Sequence, residues 1–440
     1  MGWAGGSAEF NPSSWIEVNK TKQNSRSLQD NPLGSFRHQM AKPTKLVICG
    51  GGNGAHAWAG IASSQPDTDV CVLSLFQDEA ERWSNSLKEH DFTVSLYRNE
   101  KVYNQLKTKP KLVTKQPEKA VPGCDVIALV LPAFAHEQYL EAIRPYIEPG
   151  TIIVGLPGQS GLEFQICGIV GDMASKCTLM NVESLPWATR ITEFGKSCDV
   201  LGTKESLLGA VRVGSVPPKK DPYTVIQNLL GEKPVLKIKG DLLGVTLMCD
   251  AYLHPCILND RWANWDGKPL DEQPLFYQGL SEQGAQWMST MSDEVLAITK
   301  SIGEQSPKTD MNHVGHIFDW YKRCYANEIE DKSTLYKAIT TNKVYKGLTH
   351  PMVQVDGGKW VPNFKHRYMV EDMPYGLIVT RGIAEVVGVK TPNIDKLILW
   401  AQKIMNKEYL VDGKIQGKDV KETRAPQRYG FTTLKELLGQ

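Results

Sequence analysis

The sequence predicts an α/β protein whose N-terminal half is a parallel sheet covered by helices and whose C-terminal half is mainly α-helical. Three observations support this. Short apolar runs alternate with helix-like segments from Thr44 onward, a run of glycines follows the first apolar stretch, and long amphipathic segments dominate after Gly244. Strands separated by helices of about 10–15 residues are typical of βαβ units, which place the strands in one parallel sheet.

The predicted elements follow from hydrophobic spacing along the chain. The strand-like runs are Leu46–Cys49, Val70–Phe76, Val126–Leu131 and Ile152–Leu156, with further candidates at Thr178–Asn181, Val200–Gly202 and Leu208–Val213. The helix-like segments between the first of these are Ala55–Ser64, Asp78–Glu89 and His136–Ile147. The long amphipathic segments of the second half are Leu242–Asn259, Tyr277–Ser301, His313–Glu328, Met373–Val387 and Asn393–Met405.

The segment KLVICGGGNG (Lys45–Gly54) is the most informative stretch. A buried strand that turns through glycines into a helix N-terminus suits a dinucleotide pyrophosphate, because backbone N–H groups and the helix dipole face the anion. The spacing fits G-x-G-x-x-G/A, and the strand, the helix and the second apolar strand give it the right context. The alternative is a structural strand–helix turn. The residues predicted to contact the cofactor are Gly50, Gly52, Asn53, Gly54 and Ala55.

These patterns divide the chain into a leader (residues 1–43), a Rossmann dinucleotide-binding domain (44–241) and a helical domain (242–440). The leader is rich in Ser, Asn, Gly and Pro and lacks the apolar core of a secretory signal. Gly2 lies near a myristoylation frame, but Gly6 stands where that frame needs Ser or Thr. We expect a disordered leader; a segment added for expression and a weak organelle-targeting role are the alternatives.

The composition excludes several classes of partner. A chain of 440 residues with 41% hydrophobic and 22% charged residues is typical of a globular protein, and a net charge of +1 predicts neither a nucleic-acid nor a membrane-surface partner. The longest apolar run, Val126–Ala135, is about half the roughly 20 residues of a spanning helix.

Cysteine and histidine patterns predict a reducing compartment and no metal. The 9 cysteines form no CxxC pair, which indicates free thiols and a cytoplasmic location. His313 and His316 are spaced i, i+3 on a predicted helix, but two nitrogens without a third ligand make a poor metal site. We interpret them as a solvated or partly packed helix face.

The second strand should end beside the adenosine ribose of a bound dinucleotide. An acid about 20 residues past the glycines accepts hydrogen bonds from the ribose hydroxyls. Asp78 is the candidate, and an N-cap for the following helix is the equally weighted alternative. Because no arginine follows the strand closely and Arg82 lies inside the helix, NAD is favoured over NADP. Beyond the third strand, Pro132 and Phe134 are predicted to wall the cofactor; a tight turn with a core aromatic is the alternative.

About a dozen blocks of the sequence together resemble the opine dehydrogenases of marine invertebrates. The resemblance extends from about Lys45 to the C-terminus without large gaps, and only the leader lies outside it. The blocks are CGGGNGAHA, LFQDEAERW, LPAFAHE, VGLPGQSG, ESLPWATRI, HPCILNDRW, WDGKPL, PLFYQG, AITTNKVYKGLTHP, RYMVEDMP, KEYLVDGK and PQRYGF.

The resemblance implies a reaction and a fold. Such enzymes condense pyruvate with an amino acid, and NADH reduces the imine to an N-(1-carboxyethyl) amino acid of the octopine, alanopine, strombine or tauropine type. The reaction regenerates NAD⁺ in anaerobic glycolysis. The implied fold is a Rossmann domain followed by a helical domain, with the active site in the cleft between them. The predicted partners are pyruvate and an amino acid or taurine.

The resemblance also assigns site residues by matching position. His254 matches the catalytic histidine, and imidazole suits proton transfer near neutral pH. Asp372 matches its orienting carboxylate; a helix N-cap before Pro374 is the alternative. Arg367 matches a cation suited to a carboxylate or the cofactor pyrophosphate, with a surface ion pair as the alternative. A pyruvate cradle is expected from Gln159, which lies just after a strand end where ligands bind, and from Ser184, which matches a hydroxyl-bearing position of the family. Turn-stabilising side chains are the alternative.

The chain departs from the octopine-type pattern at the amino-acid pocket. Asp250 stands where that pattern has tyrosine and Thr189 where it has cysteine, whereas Met248 is kept. Asp250 and His254 are spaced i, i+4, which predicts one shared helix face. The added carboxylate can attract a cationic side chain, hold a substrate ammonium or act on the histidine as a second negative neighbour, and it should disfavour taurine if the sulfonate lies close. The departure leaves the amino acid open.

Two other functions compete with this one. A two-domain NAD-dependent dehydrogenase for a 2-keto or 2-hydroxy acid would need no amine. A non-catalytic NADH-binding sensor would keep the fold without turnover, and the intact His254, Asp372 and Arg367 argue against it.

Overall fold

The computed structural model describes residues 42–98 and 100–440, so the predicted leader lies almost wholly outside the described residues. The strands of the N-terminal half are β1 (Thr44–Cys49), β2 (Thr68–Leu73), β3 (Phe92–Arg98), β4 (Lys101–Thr108), β5 (Leu112–Thr114), β6 (Val126–Leu129), β7 (Ile152–Gly155), β8 (Thr178–Val182), β9 (Trp187–Glu193), β10 (Ser197–Thr203), β11 (Ser206–Arg212) and β12 (Val235–Ile238). Its helices are α1 (Asn53–Ser63), α2 (Glu79–Glu89), α3 (Pro117–Ala120), α4 (His136–Ile143), α5 (Leu162–Val170) and α6 (Pro222–Leu230).

The main sheet has eight strands in the order β12-β11-β8-β7-β6-β1-β2-β5. The strands from β8 to β5 in this order are parallel, and β1 pairs with both β2 and β6. The chain therefore winds in opposite directions on the two sides of β1. Open sheets of this kind bind ligands at that switch, beyond the carboxyl ends of the strands. The predicted α/β class, with a parallel sheet of Rossmann type in the N-terminal half, is confirmed.

The strands of the main sheet are apolar on both faces, because helices cover both sides. In β1, Leu46 and Ile48 belong to one buried cluster, and Val47 and Cys49 belong to the other. A strand buried on both faces appears in the sequence as a continuous apolar run, and this property made β1, β2, β6 and β7 recognisable.

A second sheet, in the order β4-β3-β10-β9, was not predicted. Strands β3 and β4 form an antiparallel hairpin, and β3 pairs in parallel with β10. Residues of this sheet meet the helix after the glycines: a Cβ on Gly60 of α1 would lie 2.1 Å from Val94 Cγ2. The sheet therefore buries the outer side of α1.

The C-terminal half is mainly helical, as predicted. Its helices are α7 (Leu242–Leu247), α8 (Leu253–Trp262), α9 (Glu282–Gln305), α10 (Ile317–Cys324), α11 (Leu335–Thr340), α12 (Arg367–Val370), α13 (Ile378–Val387), α14 (Pro392–Met405) and α15 (Leu434–Leu437). Two short hairpins pair β13 (Met352–Gln354) with β14 (Trp360–Pro362) and β15 (Leu410–Val411) with β16 (Lys414–Ile415). A π-helical segment, Met373–Leu377, leads directly into α13.

Three helix predictions were wrong in their bounds. The predicted helix Leu242–Asn259 is two helices with a turn between Met248 and Tyr252, because Pro255 cannot bond to the carbonyl of Ala251 and is tolerated only in a first turn. Ala251 packs against the π segment: a Cβ on Gly376 would lie 2.3 Å from Ala251 Cβ. The predicted helix Tyr277–Ser301 begins at Glu282 in the structure. The predicted helix His313–Glu328 begins at Ile317, so His316 is its N-cap and His313 precedes it.

The described residues contain no helix long and apolar enough to span a bilayer.

Candidate active site

The glycine loop lies between the carboxyl ends of β1 and β6. Gly50 has φ +126°, and a Cβ there would lie 2.6 Å from the carbonyl oxygen of Val130. A Cβ on Gly54 would lie 2.9 Å from Leu185 Cδ1. Gly50 therefore requires glycine, Gly54 packs closely against Leu185, and α1 points its N-terminus at the switch of the sheet. This backbone fits the pyrophosphate of a dinucleotide.

Two side chains of α1 fix its orientation. The Oδ1 of Asn53 accepts a hydrogen bond from Ile191 N at 2.8 Å, and His56 Nε2 accepts one from Gly195 N at 3.1 Å. Burial lowers the pKa of His56 to about 4, so the ring is neutral and its Nδ1–H donates to Gly52 O. The second sheet thus holds the start of α1. Ala55, the last residue of the glycine motif, is fully buried, whereas a Cβ on Gly52 would meet no atom within 4 Å.

The acid beside the glycine loop is Glu79, not Asp78. The Asp78 carboxylate is 64% exposed and pairs with Arg82 Nε at 3.1 Å. It occupies the N-cap position of α2 without making a side-chain cap hydrogen bond. Glu79 Oε2 accepts a hydrogen bond from Ser74 Oγ at 2.6 Å, and a Cβ on Gly51 would lie 2.1 Å from the same oxygen. The carboxylate of Glu79 therefore lies against the glycine loop.

The turn after β6 connects the two halves of the molecule. The N–H of Ala133 donates to Glu371 Oε1 at 3.1 Å, and Glu371 Oε2 pairs with Arg367 Nη2 at 2.9 Å. Glu371 is buried, whereas the Arg367 side chain is 63% exposed. Pro132 is exposed and Phe134 is 58% exposed, so Phe134 is not a core aromatic and its ring is free to contact a ligand.

The predicted histidine and carboxylate meet in the helical half. His254 Nδ1 lies 2.6 Å from Asp372 Oδ2, and Nε2 lies 2.9 Å from the hydroxyl of Tyr277. The ring of Tyr368 stacks on the imidazole with centroids 3.9 Å apart. Burial raises the pKa of Tyr277, so it stays a neutral phenol. The imidazole is thus fixed in one plane, with a carboxylate on one nitrogen and a hydroxyl on the other.

Helix ends place both members of this pair. His254 is the second residue of α8, and Asp372 directly precedes the π segment that begins at Met373. The Asp372 side chain makes no cap hydrogen bond, so the N-cap alternative is wrong. The carboxylate of Asp372 pairs with His254 instead. Asp250 lies in the turn before α8. The prediction that Asp250 and His254 share a helix face is therefore wrong.

Gln159 lies in the turn after β7 with φ +61°, a left-handed conformation that non-glycine residues adopt rarely and often at functional sites. The side chain of Asn181, on β8, holds this turn: its Oδ1 accepts from Gly158 N at 2.9 Å and its Nδ2 donates to Gln159 O at 3.2 Å. The thiol of Cys249 donates to Gln159 Oε1 at 3.4 Å. The amide therefore lies at the junction of the sheet and the helical half.

A charged cluster lies beyond the carboxyl end of β8. Lys204 Nζ donates a short hydrogen bond to Ser184 Oγ, and Arg323 Nη2, on α10, pairs with Glu183 Oε2 at 3.3 Å. Burial lowers the pKa of Lys204 despite the neighbouring Glu183. Since Ser184 accepts from a lysine, its hydroxyl hydrogen remains available to a ligand.

Asp250 lies in an aromatic environment near this cluster. Its Oδ1 accepts from the Tyr252 hydroxyl at 3.4 Å. Burial raises the pKa of Asp250 to about 7, and Arg323 opposes that rise. The carboxyl group therefore titrates near neutral pH rather than in its usual acidic range.

The chain is similar in sequence to known dehydrogenases. The family model described as NAD/NADP octopine/nopaline dehydrogenase, alpha-helical domain, matches residues 238–405. Tauropine dehydrogenase of Arabella iricolor is 55% identical over 394 residues, covering 89% of this chain and 99% of that protein. The chain belongs to the opine dehydrogenase family.

Solved structures of the opine dehydrogenase family have the same fold. Octopine dehydrogenase with NADH and L-arginine is 46% identical with a TM-score of 0.87, covering 90% of this chain and 98% of that one. Octopine dehydrogenase with NADH and pyruvate is 45% identical with a TM-score of 0.84 and the same coverage. The resemblance and the reaction class predicted from the sequence are confirmed.

Two positions predicted to bind substrate in this opine dehydrogenase have other contacts. The hydroxyl of Thr189 is buried and donates to Asp199 O at 2.8 Å, inside the second sheet. Met248 ends α7 and packs against the core of the helical half. Neither contact tests the substrate assignment, which stays a prediction.

Several residues of the site were not predicted. Tyr277 and Tyr368 lie within sequence blocks that carry the family resemblance, and a closer inspection of PLFYQG and RYMVEDMP could have singled them out. Glu371, Asn181, Lys204 and Arg323 carry no local signal, because each contacts a residue 20 or more positions away. Glu79 bonds to Ser74, five residues before it, but stands next to the more usual candidate Asp78. Within the described residues, no three His, Cys, Asp or Glu side chains come together as metal ligands.

Proposed function

We propose that this opine dehydrogenase uses His254 and Asp372 as its acid–base pair in the NADH-dependent condensation of pyruvate with an amino acid. The observation that carries the proposal is the imidazole held between a carboxylate and a phenol, 2.6 and 2.9 Å away. A carboxylate on Nδ1 fixes the tautomer and stabilises the imidazolium. The other nitrogen is then left to exchange a proton with substrate.

The proton transfers follow from this arrangement. The free amine attacks the keto carbon of pyruvate, and the imidazolium of His254 donates its Nε2 proton to the oxygen. The neutral Nε2 then takes a proton from the attached nitrogen and passes it to the new hydroxyl group, which leaves as water. The product is a protonated imine. Asp372 keeps its charge throughout and holds Nδ1–H. Tyr277 stays a neutral phenol near neutral pH. When the substrate enters, the Tyr277 hydroxyl leaves Nε2 and donates its hydrogen bond to the substrate oxygen instead.

The cofactor site is proposed from the glycine loop and its neighbours. Gly50, Gly52, Asn53, Gly54 and Ala55 form the pyrophosphate cradle, and Pro132 and Phe134 wall the nicotinamide side. Glu79 takes the role predicted for Asp78, because its carboxylate lies against the loop and would accept from both ribose hydroxyls. A carboxylate there repels a 2′-phosphate, which favours NADH. When bound, NADH supplies the hydride that reduces the imine carbon. Arg367, exposed near the wall, supplies a cation for the pyrophosphate.

The substrate side is proposed from Gln159, Ser184 and the charged cluster. The amide of Gln159 and the hydroxyl of Ser184 are donors for pyruvate, which octopine dehydrogenase binds in a solved structure. Lys204 and Arg323 are suited to the acid group of the amine substrate, whether carboxylate or sulfonate.

The charge near Asp250 bears on the choice of amine. Two cations, Lys204 and Arg323, lie near the carboxyl group of Glu183, while burial raises the pKa of Asp250 to about 7, which weakens its negative charge near neutral pH. This balance disfavours a basic side chain such as that of arginine. It favours a small neutral amino acid or taurine, the amine implied by the name of the relative from Arabella iricolor. Thr189 and Met248 stay candidates for lining the amine pocket.

The domain boundaries at residues 43 and 241 and a cytoplasmic location belong to the same proposal. The sheet ends at Ile238 and α7 begins at Leu242, which supports the second boundary. The 9 free thiols support a reducing compartment, where regeneration of NAD⁺ serves anaerobic glycolysis.

The test is an NADH-oxidation screen with pyruvate against taurine, alanine, glycine, β-alanine and arginine. We expect turnover only when both pyruvate and an amine are present, with arginine the poorest amine. Turnover with pyruvate alone would favour a 2-keto acid dehydrogenase, and NADH binding without turnover across the panel would favour a sensor. His254→Gln should abolish turnover and leave the Kd for NADH within about twofold; substantial residual turnover would remove His254 from the mechanism.

A further inference from the structure

Arg424 is a fully buried arginine that the reaction described above does not use. It lies after the second small hairpin of the helical half, in the segment KETRAPQRY, and its side chain enters the N-terminal half. Nε donates to Gln165 Oε1 at 2.6 Å, Nη1 to Gly158 O at 2.6 Å and Nη2 to Ala133 O at 3.2 Å.

Two further contacts complete its hydrogen bonding. Nη1 also lies 3.4 Å from Ser160 O, and Nη2 donates a short hydrogen bond to His136 Nδ1. His136 is buried, its Nε2–H donates to Leu131 O at 3.0 Å, and burial with the nearby guanidinium lowers its pKa, so it accepts as a neutral ring. One planar group therefore reaches the turn after β6 and the turn after β7 at once.

The contacts of Arg424 enclose two peptides of the candidate site. Gly158 and Ser160 flank Gln159, so the left-handed turn is held by Arg424 on one side and by Asn181 on the other. The Ala133 peptide is held through its carbonyl by Arg424 and through its N–H by Glu371.

A buried guanidinium without a hydrogen-bonded carboxylate is a costly way to join two segments. Burial lowers the pKa of Arg424 to about 10, so it is still charged at neutral pH. Its partners are carbonyls, an amide and an imidazole. Lysine has a single ammonium and lacks the rigid fork that reaches α5, the turn after β6 and the turn after β7 together.

We propose that Arg424 is a positioning residue for the reaction, fixing the turn that carries Gln159 relative to the turn that walls the cofactor. This inference rests on the proposed function, because it assigns Gln159 to the substrate. Arg424 acts through the two turns and touches neither substrate nor cofactor. A displacement of about 1 Å at such a site can cost about 100-fold in rate.

The experiment compares Arg424→Lys and Arg424→Gln with Arg428→Gln in the full chain. Arg428 lies four residues further along, joins the same segment to α4 through Glu137 and contacts neither turn. We expect both Arg424 variants, assayed well below their Tm, to lower kcat/KM for pyruvate by about 10- to 100-fold, with the Kd for NADH within about threefold. Arg428→Gln should change the kcat/KM for pyruvate and the Kd for NADH by no more than about twofold.

Two further arms separate positioning from simple stabilisation. Amide hydrogen exchange should speed up in peptides covering 130–136 and 156–162 in Arg424→Lys but not in the peptide covering 48–56. In a double-mutant cycle, Arg424→Lys should cost little when Gln159→Ala is already present. Unchanged exchange in both turns, unchanged kcat/KM or fully additive losses would each overturn the proposal. A wild-type enzyme without turnover would count against the proposed function, and the exchange arm would still decide whether Arg424 fixes the turns.

Discussion

The backbone N–H of Ala133 donates a hydrogen bond to the buried carboxylate of Glu371, 3.1 Å away. Ala133 belongs to the turn after β6, and Glu371 directly precedes Asp372 in the chain. Because Glu371 also pairs with Arg367, one side chain connects the turn proposed to wall the cofactor to an exposed cation, directly beside Asp372 in the chain.

Replacing Glu371 should weaken both stability and cofactor binding. Glu371→Ala leaves the buried N–H of Ala133 without an acceptor, which costs about 1–3 kcal/mol of unfolding free energy. Glu371→Gln keeps an acceptor for Ala133 but removes the charge opposite Arg367. Urea unfolding should therefore show a larger loss of unfolding free energy for Glu371→Ala than for Glu371→Gln. NADH fluorescence titration should show weaker cofactor binding in both variants. Equal unfolding free energies for the two variants would contradict the assigned hydrogen bond.

The Asp372–His254 contact predicts a loss in kcat. Asp372→Asn keeps the size of the side chain but offers Nδ1 no charge, so kcat should fall by about 10²- to 10⁴-fold while the Kd for NADH stays within about twofold. Tyr277→Phe should cost about tenfold, the worth of one hydrogen bond. Tyr223→Phe, on α6 and remote from the site, is the control. A kcat for Asp372→Asn close to wild type would remove the carboxylate from the mechanism.

Cofactor preference should depend on Glu79 and not on its neighbour. Glu79→Gln removes the charge that opposes a 2′-phosphate, so the ratio of kcat/KM for NADPH to that for NADH should rise by about tenfold or more. Asp78→Asn is the matched control, because Asp78 faces Arg82 and solvent. The assignment fails if the two variants shift the ratio equally, or if only Asp78→Asn does.

The protonation of Asp250 predicts a pH-dependent KM for the amine. Burial raises its pKa to about 7, so the group is neutral below that pH and negative above it. A carboxylate that holds the substrate ammonium should lower the KM as pH rises from 6 to 8, and Asp250→Asn should remove this dependence. Tyr252→Phe removes a hydrogen bond that favours the charged form and should shift the inflection to higher pH. A wild-type KM that follows the same curve as Asp250→Asn would exclude Asp250 from amine binding.

Glu163 predicts a pH-dependent stability. It is buried on α5 and accepts from Thr246 Oγ1 on α7 at 2.8 Å, and burial raises its pKa from 4.5 to about 7. The folded state therefore binds this proton more tightly than the unfolded state does. The resulting stability is fully present below pH 4.5 and is lost as pH rises through 7, by at most about 3 kcal/mol.

Urea unfolding of Glu163→Gln at several pH values tests this. The difference in unfolding free energy between the variant and wild type should grow in favour of the variant from pH 5 to pH 8. Glu141→Gln, an exposed change on α4, should give a constant difference. A constant difference for Glu163→Gln as well would contradict the raised pKa.

The parts of the fold visible in the sequence are those that local physics determines. Strands β1, β2, β6 and β7 are apolar because both faces are covered, and Gly50 and Gly54 are glycine because atoms of Val130 and Leu185 leave no space for a Cβ. Strand β4, KVYNQLKT, is mostly exposed and polar, so no apolar pattern marks it. The second sheet depends on pairings between β3 and β10 that no local pattern encodes.

The site was predictable to the extent that the resemblance placed it. His254 and Asp372 are 118 residues apart, and only matching to a family could pair them before the structure was known. Asp78 and Glu79 are adjacent, yet one faces solvent and the other the glycine loop, since successive residues on a helix point about 100° apart. The break before α8 does have a local signal that was not used: Pro255 lies in the first turn of α8 and cannot bond to the carbonyl of Ala251, so a continuous helix is interrupted there.

The hydrogen bond from Arg424 to Ala133 joins residues 291 positions apart, which ties the completion of the active site to the order of synthesis. At about 5–20 residues per second, the ribosome adds Arg424 roughly 15 to 60 s after Ala133. During that interval the turn after β6 and the turn after β7 lack their common support. We therefore expect full turnover only from chains translated past Arg424.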